Sequence, residues 1–252
     1  MPVMTVELAV DEHIGVVSFG NGSHNSLSYE LVDRLGAALA EAGREGARVV
    51  VLRTDSRHFC AGADFSGGGR SGVTGPHISE AVPRLYDQPL PVIAAVRGAV
   101  VGGGLGLALA ADFRVASSSS YALANFTRLG ISPGFGLTLT LPRLVGPQRA
   151  ARILSTGRRV DADEALAIGL FDEVVPDDAV DDAALVMAAS LASASPLAML
   201  AMRQLLRADL VAALVSTLAR ERSAQQPLFD TQDFREGVAA WRERRAPVFR
   251  GE

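Results

Sequence analysis

Two glycine-bearing turns hold the residues of this chain with the clearest capacity for chemistry. The first is His58-Phe59-Cys60-Ala61-Gly62-Ala63-Asp64, just after the apolar run Val49–Leu52. The second runs from Gly98 through Gly102-Gly103-Gly104 to Gly106, between the apolar run Val92–Val96 and a stretch ending at Asp112. Glycine permits positive φ and close approach of a ligand to backbone N–H groups. The second turn opens a helix, whose N-terminus adds a partial positive charge. One N–H from each turn would polarise a carbonyl and stabilise the oxyanion or enolate formed from it, and losing one such donor costs on the order of 3 kcal/mol. Taken alone, the Gly102–Gly104 run also fits a plain strand-to-helix turn. It does not complete a dinucleotide fingerprint, because the third glycine falls on Leu107 or Leu109.

The elements that must position these turns alternate in the first third of the chain. Thr5–Val10 and Ile14–Phe19 read as strands around an Asp11-Glu12-His13 turn. Ser28 to Ala42 repeats Leu31, Leu35, Ala38, Leu39 and Ala42 at helical spacing, with Ser28 as N-cap. Arg48–Leu52 and Pro91–Val96 read as buried strands, Phe65–Gly75 as a mobile loop, and Val115 and Tyr121–Leu123 as parts of short strands. Beyond residue 136 helices dominate: Asp161–Glu164 has capping-box spacing, Gly169 suits a helix stop, and Asp172–Val175 is a strand. From Val180 to Arg245 the pattern is helical, broken at Pro196 and Pro227. The fold class is α/β, with a helical C-terminal extension.

Composition narrows the chemistry. The chain has 252 residues, 48% hydrophobic and 21% charged, with net charge −4, which suits a globular protein with a large core. All 24 basic residues are Arg. The absence of Lys excludes Schiff-base, pyridoxal-phosphate and P-loop lysine chemistry, and leaves phosphate recognition to Arg, backbone N–H groups or helix N-termini. One cysteine, Cys60, allows no internal disulfide and no Cys-based zinc site. The mild acidity argues against nucleic acid. The longest apolar stretch, Ala99–Ala111, is too short to span a bilayer. With no signal peptide evident, the expectation is a cytoplasmic protein with no membrane partner.

Taken as an ordered pair, the two turns resemble those of the crotonase superfamily, the enoyl-CoA hydratase/isomerase group. The resemblance covers almost the whole chain, including Asn25-Ser26-Leu27-Ser28, Phe59–Asp64, Pro91–Asp112, Leu129–Gly136, Leu141–Gly146, Gly157–Val175 and Glu236–Trp241. It implies a crotonase (ClpP-like) fold of repeated ββα units over residues 1–195. Residues 196–252 would form a helical region for oligomerisation and CoA clamping. It also implies an acyl-CoA ligand, no further cofactor or metal, and a homotrimer or dimer of trimers. The family's oxyanion hole falls on the N–H groups of Ala63 and Gly103. Ala61 and Asp64 of the first turn are candidate substrate-binding residues, Asp64 also reading as a structural residue that holds the loop by backbone hydrogen bonds; the CoA clamp falls on Trp241 and Arg244, which a solvated helix end would also explain.

The chain departs from the family where a hydratase needs acid and base. The positions of the two hydratase glutamates are Gly106 and Phe126 here, and neither can carry a proton. Substitutes must come from nearby: His77 and Glu80 after the glycine-rich loop, or His58 before the first turn. Asp112 reads as a structural acceptor, and Ser132 and Thr127 as poor bases without a partner. Three readings follow: an enzyme that stabilises a thioester enolate, isomerase-like rather than a standard hydratase; a catalytically silent acyl-CoA-binding protein; and a diketone hydrolase of related fold that uses no CoA.

Overall fold

The computed structural model describes residues 4–22, 24–63 and 76–252. The loop expected over Phe65–Gly75 lies outside them. Strands β1 (Thr5–Asp11) and β2 (Ile14–Gly20) form an antiparallel hairpin. Its two turn residues, Glu12 at φ 42 and His13 at φ 71, adopt the left-handed backbone that matches a hairpin to the twist of its strands. Strands β3 (Val49–Arg53), β4 (Val92–Val96), β6 (Phe113–Ser117) and β9 (Glu173–Val175) extend it in parallel, giving the order β1-β2-β3-β4-β6-β9. A second sheet orders β5 (Ala99–Val101), β7 (Tyr121–Leu123) and β8 (Arg159–Asp161). Each of β4 and β6 therefore hands the chain to the second sheet before a helical segment returns it, a repeated β–β–α course.

Strand β3 shows why the large sheet is buried on both faces. Val49 and Val51 face one apolar cluster with Val180, Ala184 and Ala188 of helix α7 (Val180–Ala192); Val50 and Leu52 face the main core. That alternation is the two-residue period of a strand. Helix α1 (Tyr29–Arg44) covers the core side with Leu31, Val32, Leu35 and Leu39, and Ser28 Oγ caps it by accepting from Leu31 N at 3.1 Å. A short helix α2 (Pro83–Tyr86) follows, then α3 (Gly103–Ala110), whose residues beyond Gly103 are all buried.

Helices α4 (Leu137–Val145), α5 (Pro147–Thr156) and α6 (Ala162–Ala167) precede α7. The capping box expected at Asp161 is not formed: Asp161 pairs with Arg159, and Glu164 pairs with Arg158. The long helix α8 (Pro196–Gln225) spans about 45 Å at 1.5 Å per residue. It buries Arg203, Arg207, Leu214, Thr217, Leu218 and Glu221 on one stripe, and Gln226–Asp230 links it to α9 (Gln232–Glu243).

Candidate functional site

The two glycine turns are pressed against each other. Cys60 N donates to Ala99 O at 3.2 Å and Val101 N to Cys60 O at 3.0 Å, so the first turn runs as a bridge along β5. A methyl group on Gly104 would collide with the Cys60 carbonyl, and one on Gly62 would come within 2.8 Å of Val101 O. Gly102, at φ 53 and ψ −118, holds a backbone that L side chains rarely adopt and so turns the chain from β5 into α3. Leu27 joins the two donors: its backbone bridges Ala63, and its Cδ2 lies 2.5 Å from where a Cβ on Gly103 would stand. Among the described residues neither Ala63 N–H nor Gly103 N–H has an acceptor.

Behind the first turn stands Asn25, fully buried at φ 47. Its Oδ1 accepts from Asn21 N at 2.7 Å and Ser56 Oγ at 3.3 Å, while its Nδ2 donates to Thr54 Oγ1, His58 O and Phe59 O. An amide so fully used is a rigid brace, because each buried polar atom would otherwise carry a desolvation cost. Cys60, equally buried, has its thiol pushed up to about 12 by desolvation, so it is no nucleophile at neutral pH.

The wall around Gly103 is apolar. A Cβ on Gly106 would lie 2.6 Å from Phe135 Cδ1 and 2.9 Å from Phe135 Cβ, so that phenyl group fills the space a longer residue 106 would use. The same ring lies 3.5 Å from a Cβ position on Gly103. Phe126 Cζ stands 3.7 Å from the Cβ position of Gly102. Both phenylalanines are buried, and Phe135 sits at φ 63, a strained backbone for a bulky side chain. The segment bearing Phe126 is pinned from outside, since a Cβ on Gly237 of α9 would meet Leu129 backbone at 2.6 Å.

Residues 10–252 match the family model described as enoyl-CoA hydratase/isomerase. The chain belongs to that family. It is 36% identical to a probable enoyl-CoA hydratase of Rhodobacter capsulatus, over the full length of both chains. Among solved structures, an enoyl-CoA hydratase/isomerase from Pseudoalteromonas atlantica superposes with TM-score 0.87 at 27% identity, covering 97% of this chain and 99% of the other. A methylmalonyl-CoA decarboxylase superposes with TM-score 0.81 at 28% identity, covering 98% of each. The repeated β–β–α course is thus the crotonase fold.

Within this member of the enoyl-CoA hydratase/isomerase family, the residues singled out from sequence scatter. His58 serves the backbone: its Nδ1 accepts from Ala99 N at 3.1 Å, and burial, then Arg57, then His24 lower its pKa. His77 and Glu80 cap a short 3-10 turn. His77 Nδ1 accepts from Ser79 N, while Glu80 Oε1 accepts from His77 N and pairs with Arg222 at 3.0 Å. Burial lowers the His77 pKa, with Arg222 adding to it. Thr127 Oγ1 donates to the end of α5, Ser132 Oγ is buried with no partner among the described residues, and Ala61 N donates to His24 O. Asp64 lies outside the described residues. Trp241 is exposed on α9, and Arg244, also exposed, ends that helix in the left-handed conformation.

Asp112 works at the far end of α3. Its Oδ2 accepts from Val92 N at 2.8 Å and Arg203 Nε at 2.9 Å, and its Oδ1 from Arg207 Nη1 at 2.7 Å. Arg207 Nη2 also donates to Ala110 O, and Arg114, fully buried, donates to Ala111 O and Asp112 O. Sequence reasoning missed Leu27 as the residue touching both turns, and it missed Phe135. The Gly134-Phe135-Gly136 run was the available signal, a bulky residue held between two glycines.

Proposed function

We propose that this protein binds an acyl-CoA thioester and stabilises its enolate between the N–H groups of Ala63 and Gly103. Its chemistry is isomerase-like in passing through the enolate, not the standard two-glutamate addition of water. One observation carries the reading: two N–H donors without an acceptor among the described residues flank Leu27 on turns that glycine alone lets approach; the family resemblance adds that Gly106 and Phe126 fall at the positions of the hydratase acid and base. An oxyanion held by fixed backbone donors in an apolar surround gains more than it would in water. CoA phosphates would meet guanidinium groups, with Arg244 and Trp241 on the exposed end of α9 supplying the clamp.

A homotrimer or a dimer of trimers is part of the same reading: α8 exposes Leu197, Leu205 and Leu206, with Met202 and Val215, apolar surface that association would cover.

A conjugated aryl-enoyl-CoA tests the oxyanion hole without requiring turnover, because polarising its carbonyl shifts its absorbance to the red. The shift is expected on binding and is lost in Gly103→Val, with hydration absent in both proteins. An unshifted spectrum for the bound ligand would overturn the reading. A second reading, a silent acyl-CoA-binding protein, draws on the Phe135 ring that fills the space beside Gly106. It predicts the same shift with no turnover of any thioester.

A further inference from the structure

A buried asparagine stands at each glycine turn, and the two are used in opposite ways. Asn25 spends its whole side-chain amide on the first turn and the segments around it. Asn125 is 4% exposed, yet its side-chain amide has no hydrogen-bond partner among the described residues. We propose that Asn125 reads the acyl group: its amide contacts a neutral oxygen substituent, hydroxyl or keto, that the acyl chain carries close to the thioester. The inference rests on the enolate-stabilising reading above and adds a substrate feature to it.

The fold brings Asn125 to the second turn. Leu123, at the end of β7, accepts from Gly102 N at 2.8 Å, so the residues after it are carried past the N-terminus of α3. There Asn125 Oδ1 comes 3.7 Å from where a Cβ on Gly102 would stand, as close as the Phe126 ring. Gly102 and Gly103 are adjacent, which puts the amide within about 7 Å of the Gly103 N–H. A thioester oxygen held by that N–H, with the two or three bonds beyond it, covers the same span.

Local structure does not use this amide. The backbone oxygen of Asn125, not its side chain, accepts from Leu129 N at 3.1 Å, and the 3-10 turn Thr127–Leu129 has no side-chain cap. Its chain neighbours Ala124 and Phe126 are buried and apolar. An amide taken out of water without a partner costs about as much as a lost hydrogen bond, and leucine would fill nearly the same volume without that cost. A ligand recovers it. The amide offers two N–H donors and an acceptor oxygen whichever way round it sits, which suits a hydroxyl or a keto oxygen. It has no charge to offset a carboxylate, and the phenyl group beside it solvates none, so the substituent is neutral.

The test measures binding of butyryl-CoA, 3-hydroxybutyryl-CoA and acetoacetyl-CoA to the full chain by calorimetry. At least one of the two oxygenated ligands should bind roughly tenfold or more tightly than butyryl-CoA. Asn125→Leu should erase that preference and leave butyryl-CoA binding within a few-fold of the parent. Its urea midpoint should be no lower than the parent's, because no internal hydrogen bond is lost. Where leucine does not fit, Asn125→Ala only removes atoms and should erase the preference in the same way. Asn125→Asp keeps acceptors but no donor, so it should hold a hydroxyl and reject a keto oxygen. Equal binding of all three ligands by the parent, with the aryl-enoyl-CoA still shifted to the red, overturns this inference and leaves the enolate-stabilising reading standing. A preference that survives both Asn125→Leu and Asn125→Ala also overturns it. So does loss of stability and of butyryl-CoA binding in both variants, which would make Asn125 structural. Absence of both thioester binding and the red shift in the parent overturns the two readings together.

Discussion

At its N-terminal end α3 offers the N–H of Gly103, which has no acceptor among the described residues, to a wall of Leu27, Phe126 and Phe135. At its C-terminal end, about 12 Å away for eight residues, its closing carbonyl meets Arg207 and the two that follow meet Arg114, and Asp112 holds Arg207 together with Arg203. Among the described residues the Gly103 N–H has no acceptor, whereas those carbonyls at the other end are all met. The helix dipole favours this arrangement at both ends, positive charge at the C-terminus and developing negative charge at the N-terminus. The arginines come from different places: Arg114 lies on β6, while Arg203 and Arg207 lie on α8, so the C-terminal helix is wired to the element that carries the candidate catalytic donor. α3 is held at the end away from the proposed donor, which leaves the candidate end free to stay unsatisfied.

The strongest way to break that contrast is at Asp112. Asp112→Ala removes the acceptor of Arg203 Nε, Arg207 Nη1 and Val92 N and leaves two guanidinium groups buried without their carboxylate. Breaking a buried ion pair in this way costs about 3–5 kcal/mol, read as the shift of the urea midpoint at unchanged slope. In whatever fraction stays folded, the red shift of bound aryl-enoyl-CoA should persist. A folded Asp112→Ala protein that has lost the shift would show that the saturated end sets the geometry of the free one.

A smaller perturbation sharpens the picture at the N-terminal end. Gly106→Ala sets a methyl group 2.6–3.0 Å from three atoms of Phe135, and overpacking of this kind costs about 1–3 kcal/mol. In a Phe135→Gly background those three contacts are gone, so the two changes should couple by about 1–2 kcal/mol in a double-mutant cycle. Additive effects would mean that the ring yields freely, and that Phe135 does not hold the place of a side chain at 106.

How much of this was legible beforehand divides along the same line. The free end was readable because glycine spacing is local: the two turns follow from residues adjacent in the chain, while the assignment of the donors to Ala63 and Gly103 rests on the family resemblance. The helical course of 180–245 was readable from periodicity, with its break at Pro196. The saturated end was not, because Asp112, Arg203 and Arg207 meet across more than 90 residues, and sequence spacing says nothing about such a meeting. Phe135 escaped for another reason. Its effect depends on a left-handed backbone that aims the ring at Gly106, and an isolated Phe between glycines does not announce its direction. His58 and Glu80 were singled out by residue type, but the fold uses their polar atoms to satisfy backbone and arginine.

Acid gives the mildest test, and it acts on one end only. The C-terminal end of α3 is held by arginines and a carboxylate, with no histidine among those contacts. The free end leans on His58, whose Nδ1 must be unprotonated to accept from Ala99 N on the strand leading to Gly102. Because burial lowers the folded-state pKa of His58, its contribution is fully present above about pH 6.5, the ordinary histidine value. It is lost as pH falls from there through the lowered value, since the unfolded chain binds the proton first. His77, lowered for the same leading reason, adds in the same direction. Amide hydrogen exchange, corrected for the intrinsic effect of pH, should therefore show Ala99 losing protection below about pH 6.5 while Asp112, whose N–H is bound to Val92 O at 2.8 Å, keeps it. His58→Asn offers an amide oxygen in place of the ring nitrogen and should flatten the pH dependence at Ala99. Equal loss at both amides in the parent protein would mean that acid loosens α3 as a unit, and the contrast between its ends would fail.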